Sequence, residues 1–323
     1  MMALQASSVA FRIPIVSLLL VVPGLTASAR VADTWDAEYQ AGWSAYRQGR
    51  FAEAEKRLIA AESIASSRPG EASSLATTLD RLAWVRLALG KEAAAIDAAR
   101  RSLEIRERRT DRNDAELRES LNTNACILDA LGKYAEAKPY YERLLKSAES
   151  AKGANDPSIA RTLDNLATVN HLLKKEAEAE ALYLRALAIR EKEGDPGRIA
   201  PTLHNLGVLR LDQGRFDEAR VLFERALQAK TKIHGDRHPE VARTLEALGS
   251  ARLGAGEHRE ASELFDRAIA IFERTLGPDH PHVGRSHAEA AKAAKALGRQ
   301  DDEDRHAERA ETIRTKHAQG GKP

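Results

Sequence analysis

Three histidines, His280, His282 and His287, crowd one short stretch of this 323-residue sequence, and His234 and His238 form a second group. Imidazoles that close together could ligate a metal. A hydrolytic zinc site usually sets two histidines four residues apart on a helix with a glutamate between them, and no HExxH run occurs here. His238 and His280 also fall at matching places in a recurring loop, which favours a structural role over metal ligation. Cys126 is the single cysteine, which excludes an internal disulfide framework and a multi-cysteine metal site. Its own helix offers no conspicuous activating base, so a buried or groove-lining thiol is expected rather than a nucleophile. There is no Gly-rich phosphate loop and no nucleophile elbow. The expectation is a protein that is not an enzyme, with no cofactor, no metal and no small-molecule substrate.

Two other groups could bind rather than react. The first is aromatic: Tyr39, Trp43, Tyr46 and Trp84. Tryptophan and tyrosine are over-represented among binding hot spots, but a terminal segment can also bury such rings as a cap. The second is polar: Arg161, Asn165, Asn205 and Arg243. Exposed Arg and Asn are most often simply solvated. The run Arg106-Glu107-Arg108-Arg109-Thr110-Asp111-Arg112 mixes signs and reads as a solvated helix end.

What positions these residues is a repeat. Blocks that begin at Leu75, Leu117, Ile159, Ile199, Val241 and Val283 are spaced by 42, 42, 40, 42 and 42 residues. Taking each start as position zero, position four holds Leu79, Leu121, Leu163, Leu203 and Leu245. Position eight is small throughout: Ala83, Ala125, Ala167, Gly207, Gly249 and Ala291. Positions four, seven, eight and eleven form one helical stripe, and positions twenty, twenty-four and twenty-seven form a second. Position twenty is Ala95, Ala137, Ala179, Ala219 and Ala261, and position twenty-four is Tyr141, Tyr183, Phe223 and Phe265 in the middle blocks. Small residues let two helices approach to about 8–10 Å. Between the stripes, position fifteen is Gly90, Gly132, Lys174, Gly214, Gly256 and Gly298, a helix C-terminal turn. The second helix ends in loops such as Gly194-Asp195-Pro196 and Leu276-Gly277-Pro278-Asp279-His280-Pro281, with proline placed for a new first turn. A partial copy starts near Thr34, giving about seven helix-turn-helix units. One pair cannot bury both stripes alone, so the units must stack.

The pattern Thr202-Leu203-His204-Asn205-Leu206-Gly207, Gly214-Arg215-Phe216-Asp217-Glu218-Ala219 and Phe223-Glu224-Arg225-Ala226-Leu227 resembles the tetratricopeptide repeat in its 42-residue, kinesin-light-chain-like form. The resemblance covers about residues 34 to 315 and implies an all-α fold, a right-handed α–α superhelix whose concave groove is lined by the first helix of each pair. It implies partners that are extended peptides or short helices. Positions five, nine and twelve would place Tyr39, Trp43, Tyr46 and Trp84 in that groove. Arg161, Asn165, Asn205 and Arg243 look partly like the carboxylate clamp of chaperone-binding members, although the fifth basic position falls on Ala247. Asparagine at position six can also hold a ligand backbone. Position eleven departs from the family pattern as Arg86, Leu128, Asn170, Arg210 and Arg252, which predicts a thinner core there.

The domain reading is a signal peptide over 1–29, an irregular first repeat over 34–74, five regular repeats over 75–282, a polar capping repeat over 283–318 and a disordered tail over 319–323. In the first segment Arg12 is the only charge, an apolar run spans Ile13–Val22, and Ala27-Ser28-Ala29 offers a cleavage pattern. The run is short for a membrane span of about 20 residues, so a periplasmic or secreted protein is expected, cleaved after Ala29, with no span remaining. An uncleaved anchor is the alternative. With 50 basic and 48 acidic residues and a net charge of +2, the sequence has no basic footprint for nucleic acid. The expected function is a protein- or peptide-binding scaffold or adaptor; the alternative is a structural part of an envelope or secretion assembly, built through self-association or convex-face contacts.

Overall fold

The computed structural model describes residues 27–68, 70–109 and 114–320. The apolar run of the expected signal peptide and residues 321–323 lie outside the described residues. Ala27, Ser28 and Ala29 open the first helix.

The described residues form fourteen α-helices: α1 (Ala27–Arg47), α2 (Phe51–Ser66), α3 (Ala72–Ala88), α4 (Glu92–Arg108), α5 (Asp114–Ala130), α6 (Tyr134–Lys152), α7 (Ala160–Leu172), α8 (Glu176–Glu193), α9 (Pro196–Asp212), α10 (Phe216–His234), α11 (Pro239–Gly254), α12 (His258–Leu276), α13 (Pro281–Ala296) and α14 (Gln300–Gly320). There is no strand among them. They pair in order as A and B helices of helix-turn-helix repeats, the architecture of an all-α solenoid, and they fall into two compact units. The first, Met1–Ala154, contains α1 to α6; the second, Asn155–Pro323, contains α7 to α14.

The two stripes meet inside each pair. In α9 and α10, Gly207 faces the fully buried Phe223; a Cβ added at Gly207 would lie 2.6 Å from the Phe223 ring. Gly249 and Phe265 repeat this in α11 and α12. Where position twenty-four is tyrosine, its hydroxyl finds a partner at position nine. Tyr183 Oη lies 2.8 Å from Thr168 Oγ1, and Tyr141 Oη lies 3.4 Å from Cys126 Sγ. A buried hydroxyl without such a partner would cost free energy. Cys126 is thus a buried thiol in the packing of its repeat.

The A–B turn needs a left-handed residue. Gly214 takes φ 71°, and Lys174, the one departure at this position, takes φ 62°. The four loops that end in Asp/His-Pro are helix N-caps. Asp156 and Asp195 accept from the backbone N–H two residues on at 2.8 Å, and His238 and His280 do the same through Nδ1 at 3.1 and 3.2 Å. Each satisfies a donor that the first turn leaves open, which explains the histidines of the repeated loop.

At position eleven Leu128 and Asn170 are buried, and the three arginines replace the apolar stripe with ion pairs that cross to the preceding B helix. Arg86 sits 3.6 Å from Glu55, Arg210 chelates Glu180 with both terminal nitrogens, and Arg252 lies 3.0 Å from Glu224. The core is not simply thinner there; the arginines cover it with their stems.

Ala219 is fully buried in the cluster that holds Phe223, Leu245 and Phe265. Ala219→Leu is expected to lower the stability of the second unit by about 1–3 kcal/mol through overpacking. Thermal melts would check this; an unchanged curve would show that position twenty is not closely packed.

Candidate functional site

The aromatic residues gather at the start of the first unit. Trp35 stacks on Tyr39 with ring centroids 5.1 Å apart, and Trp43 stacks on Tyr46 at 4.8 Å. Arg81, from α3, ties the two stacks together. Its guanidinium carbon sits 4.6 Å from the Trp43 ring centroid, and its Nε donates to Tyr39 Oη at 3.1 Å. Its NH2 lies 3.0 Å from Glu119 on α5. Trp35 Nε1 donates to Thr78 Oγ1 at 3.0 Å. Tyr39 is buried, and its ring belongs to the core of this unit; Tyr46 and Trp84 are half-buried and pack against that core. Trp43 is half-buried as well but packs in the Tyr46–Arg81 arrangement. Position in the repeat selects Tyr39, Trp43, Tyr46 and Trp84. It misses Trp35, which falls outside the groove positions, and it gives no sign that Arg81, at position six, meets Tyr39 from 42 residues away.

The polar group lies on the A helices of the second unit. Neighbouring helices α7, α9 and α11 are in contact, and they carry Arg161 and Asn165, Asn205, and Arg243 respectively. Arg161 is exposed and makes no ion pair among the described residues. Asn165 and Asn205 are half-buried, hold equivalent places in consecutive repeats, and have no hydrogen-bond partner among the described residues. Arg243 is half-buried and pairs with Glu240 at 2.8 Å. Behind Asn205 sits His204, buried against Phe223 with ring centroids 5.5 Å apart. Burial holds its imidazole well below the ordinary histidine range, and Lys230, Arg243 and Arg285 push the same way. His204 is therefore neutral at pH 7, and Lys230 and Arg243 near it are both paired with Glu240. Glu246 forms a bidentate pair with Arg285 at 2.8 and 2.7 Å.

Beneath these faces runs a polar layer that the helical stripes do not announce. Position three is Thr78, Ser120, Thr162, Thr202, Thr244 and Ser286, all buried. In two repeats it completes a charged triad. Arg106 lies 2.9 Å from Asp80 and donates to Ser120 at 2.8 Å. Arg190 lies 2.7 Å from Asp164 and donates to Thr202 at 2.7 Å, and Thr202 donates to Asp164 at 3.1 Å. Burial pushes both aspartates up to about 6, against the pull of the arginine. Arg106 is only 3% exposed, which corrects its reading as part of a solvated helix end. Its place within a mixed-sign run conceals a partner 26 residues earlier.

The histidine groups also resolve into packing. His280 stacks on His282, and His282 stacks on Phe272, each at 5.1 Å. Among the described residues, no group of three or more His, Cys, Asp or Glu side chains is arranged to hold a metal ion. No described helix is long and apolar enough to cross a membrane.

A tetratricopeptide repeat family model matches residues 37–108, 117–192, 198–274 and 252–316, well over half of the sequence. The chain belongs to the tetratricopeptide repeat family. No curated protein matches this tetratricopeptide repeat protein in sequence. Solved structures show the same fold. BtubC (BKLC) from P. vanneervenii is 24% identical with a TM-score of 0.59, over 78% of this chain and 93% of that one. A kinesin light chain array of nearly identical TPR-like repeats from Podosopora anserina is 24% identical with a TM-score of 0.55, over 64% and 98%. A Rap protein complexed with competence and sporulation factor is 17% identical with a TM-score of 0.57, over 90% and 80%. Within this tetratricopeptide repeat protein, the A-helix surface varies from repeat to repeat at position six. Position six is Arg81, Thr123, Asn165, Asn205, Ala247 and Glu289, while position four stays leucine in five repeats.

Proposed function

We propose that this tetratricopeptide repeat protein is a non-enzymatic scaffold that binds an extended polypeptide along the A-helix face of its second unit. The observation that carries the reading is the pair of half-buried amides, Asn165 and Asn205, one repeat apart and without hydrogen-bond partners among the described residues. A side-chain amide offers both a donor and an acceptor, which matches a peptide backbone. Half-buried polar groups gain most from a ligand that completes their hydrogen bonds. Arg161 and Arg243 flank them and suit a carboxylate. The Rap protein of similar fold, solved in complex with a factor, supports a ligand-binding use of the architecture. Taken by itself, the first unit offers a separate candidate surface at Trp43, held by Tyr46 and Arg81. The site is proposed to work outside the cytoplasm, following the apolar run and small-residue pattern at the N-terminus.

The test starts from a partner recovered with the full chain as bait and its binding segment made as a peptide. Asn165→Ala with Asn205→Ala is expected to weaken calorimetric affinity by about 1–2 kcal/mol through lost hydrogen bonds. Melting temperature should hardly move. Unchanged affinity in a folded double variant would remove this face from the binding site.

A further inference from the structure

The last helix pair breaks the apolar pattern at two places that meet. Position four is leucine in five repeats and His287 in the last. Position twenty-three is Leu182, Leu222 and Leu264 in the three preceding repeats and His306 in the last. His287 Nδ1, on α13, lies 2.8 Å from His306 Nδ1, on α14, with ring centroids 5.0 Å apart. His306 is 7% exposed and His287 is half-buried. Two imidazole nitrogens at that distance need one donor and one acceptor. His306 Nε2 faces Asp266 Oδ1 on α12 at 3.9 Å, which favours the N–H on Nε2 and leaves Nδ1 as acceptor. His287 then donates through Nδ1. Its Nε2, buried and without a hydrogen-bond partner, carries the lone pair.

We propose that the His287–His306 pair is an acid-sensitive clasp that holds the C-terminal helix α14 against α13, closed while both rings are neutral and released when the pair is protonated. A proton on His306 Nδ1 either sets two N–H donors against each other at the present 2.8 Å or drives the His287 proton onto Nε2, a buried atom without a hydrogen-bond partner among the described residues. A proton on His287 Nε2 would place a cation's donor on a buried atom with no acceptor. Either event removes the advantage of the closed contact.

The charges around the pair set the sign. Asp266 faces it from α12, and Asp302, Arg305 and Arg309 face it from α14. Arg305 is paired with Asp302 at 2.9 Å, and Arg309 with Asp279 at 3.1 Å. Burial lowers His287 to about 4, and His306, Arg309 and Arg305 act in the same direction. Burial also lowers His306, against the opposing pull of Asp266. A base whose folded pKa lies below its unfolded value binds more protons when released. The clasp is therefore fully effective above the ordinary histidine value of about 6.5 and weakens as pH falls toward about 4. A second attachment outlasts it: Lys316 holds the Asp279 carboxyl below its ordinary range, so the Lys316–Asp279 and Arg309–Asp279 pairs stay ionised through this window.

Hydrogen exchange of the full chain at pH 7.5 and 5.0, corrected for intrinsic rates, tests the proposal. Protection in α14 is expected to fall about tenfold more than in α2, whose unit contains no histidine, over this range. The variant H287L/H306L restores the residues that positions four and twenty-three carry elsewhere, and it should remove the difference. An α14 response equal to that of α2, or the same response in the double variant, would overturn the clasp. If the variant does not fold, imidazole NMR titration of the unaltered chain decides instead. Depressed titration of both rings supports the clasp, and titration of His287 near 6.5 overturns it.

Discussion

Asp164→Ala is expected to destabilise the second unit by about 3–5 kcal/mol, the range for leaving a buried ion without its partner. Asp164 is 6% exposed and lies 2.7 Å from Arg190. Arg190 donates in addition to the Arg198 carbonyl and to Thr202, but Asp164 is the carboxylate within ion-pair distance. Truncation would strand a guanidinium among buried side chains of α7, α8 and α9. Replacing both members by apolar residues of similar length, Asp164→Leu with Arg190→Met, removes the stranded charge and should recover most of the loss. Urea unfolding at pH 7.5 gives both values. If the double variant loses as much as the single one, the pair contributes through shape rather than charge. The corresponding Asp80→Ala should cost less, because Arg106 keeps Glu119 at 3.6 Å. That contrast separates the buried charge from the repeat position it occupies.

The same pair shows where the sequence stops being readable. The leucine stripe, the small residues at positions eight and twenty, and the left-handed turn at position fifteen recur within one helix or one turn, so a periodic reading finds them. Asp164, Arg190 and Thr202 sit on three helices at separations of 26 and 12 residues, and each looks solvated in its own helical window. Threonine and serine at position three carry no hydrophobic signal, although their burial follows the stripe one residue on. The arginines at position eleven are visible as a departure, but their glutamate partners on the preceding B helix are not. The N-cap role of His238 and His280 is half legible: the loop recurrence points to structure, while the acceptor nitrogen becomes evident only beside the N–H it meets. Position in the repeat picks out the aromatic group, but its packing depends on Arg81, which no local pattern links to Tyr39 or Trp43.

The second large effect concerns those rings, and it divides the two tryptophans. Trp84 packs against the core cluster of the first unit, so Trp84→Ala is expected to cost about 2–3 kcal/mol of stability, less than for a fully buried indole. Trp43 stands apart from that cluster, stacked on Tyr46 and under the Arg81 guanidinium. Losing the cation–π contact alone is worth about 0.5–1 kcal/mol, so Trp43→Ala should melt only slightly earlier. Its effect on binding is expected to be larger, at least about 2 kcal/mol, the scale of a hot spot. An indole already held by a stacked ring and an arginine loses little side-chain freedom when a ligand arrives, and such preorganisation favours affinity. Calorimetry with the recovered peptide, beside melts of each single variant, separates the two roles. Should Trp43→Ala lose several kcal/mol of stability and bind normally once folded, both rings are a terminal cap, and the ligand surface of this protein is confined to the Asn165–Asn205 face.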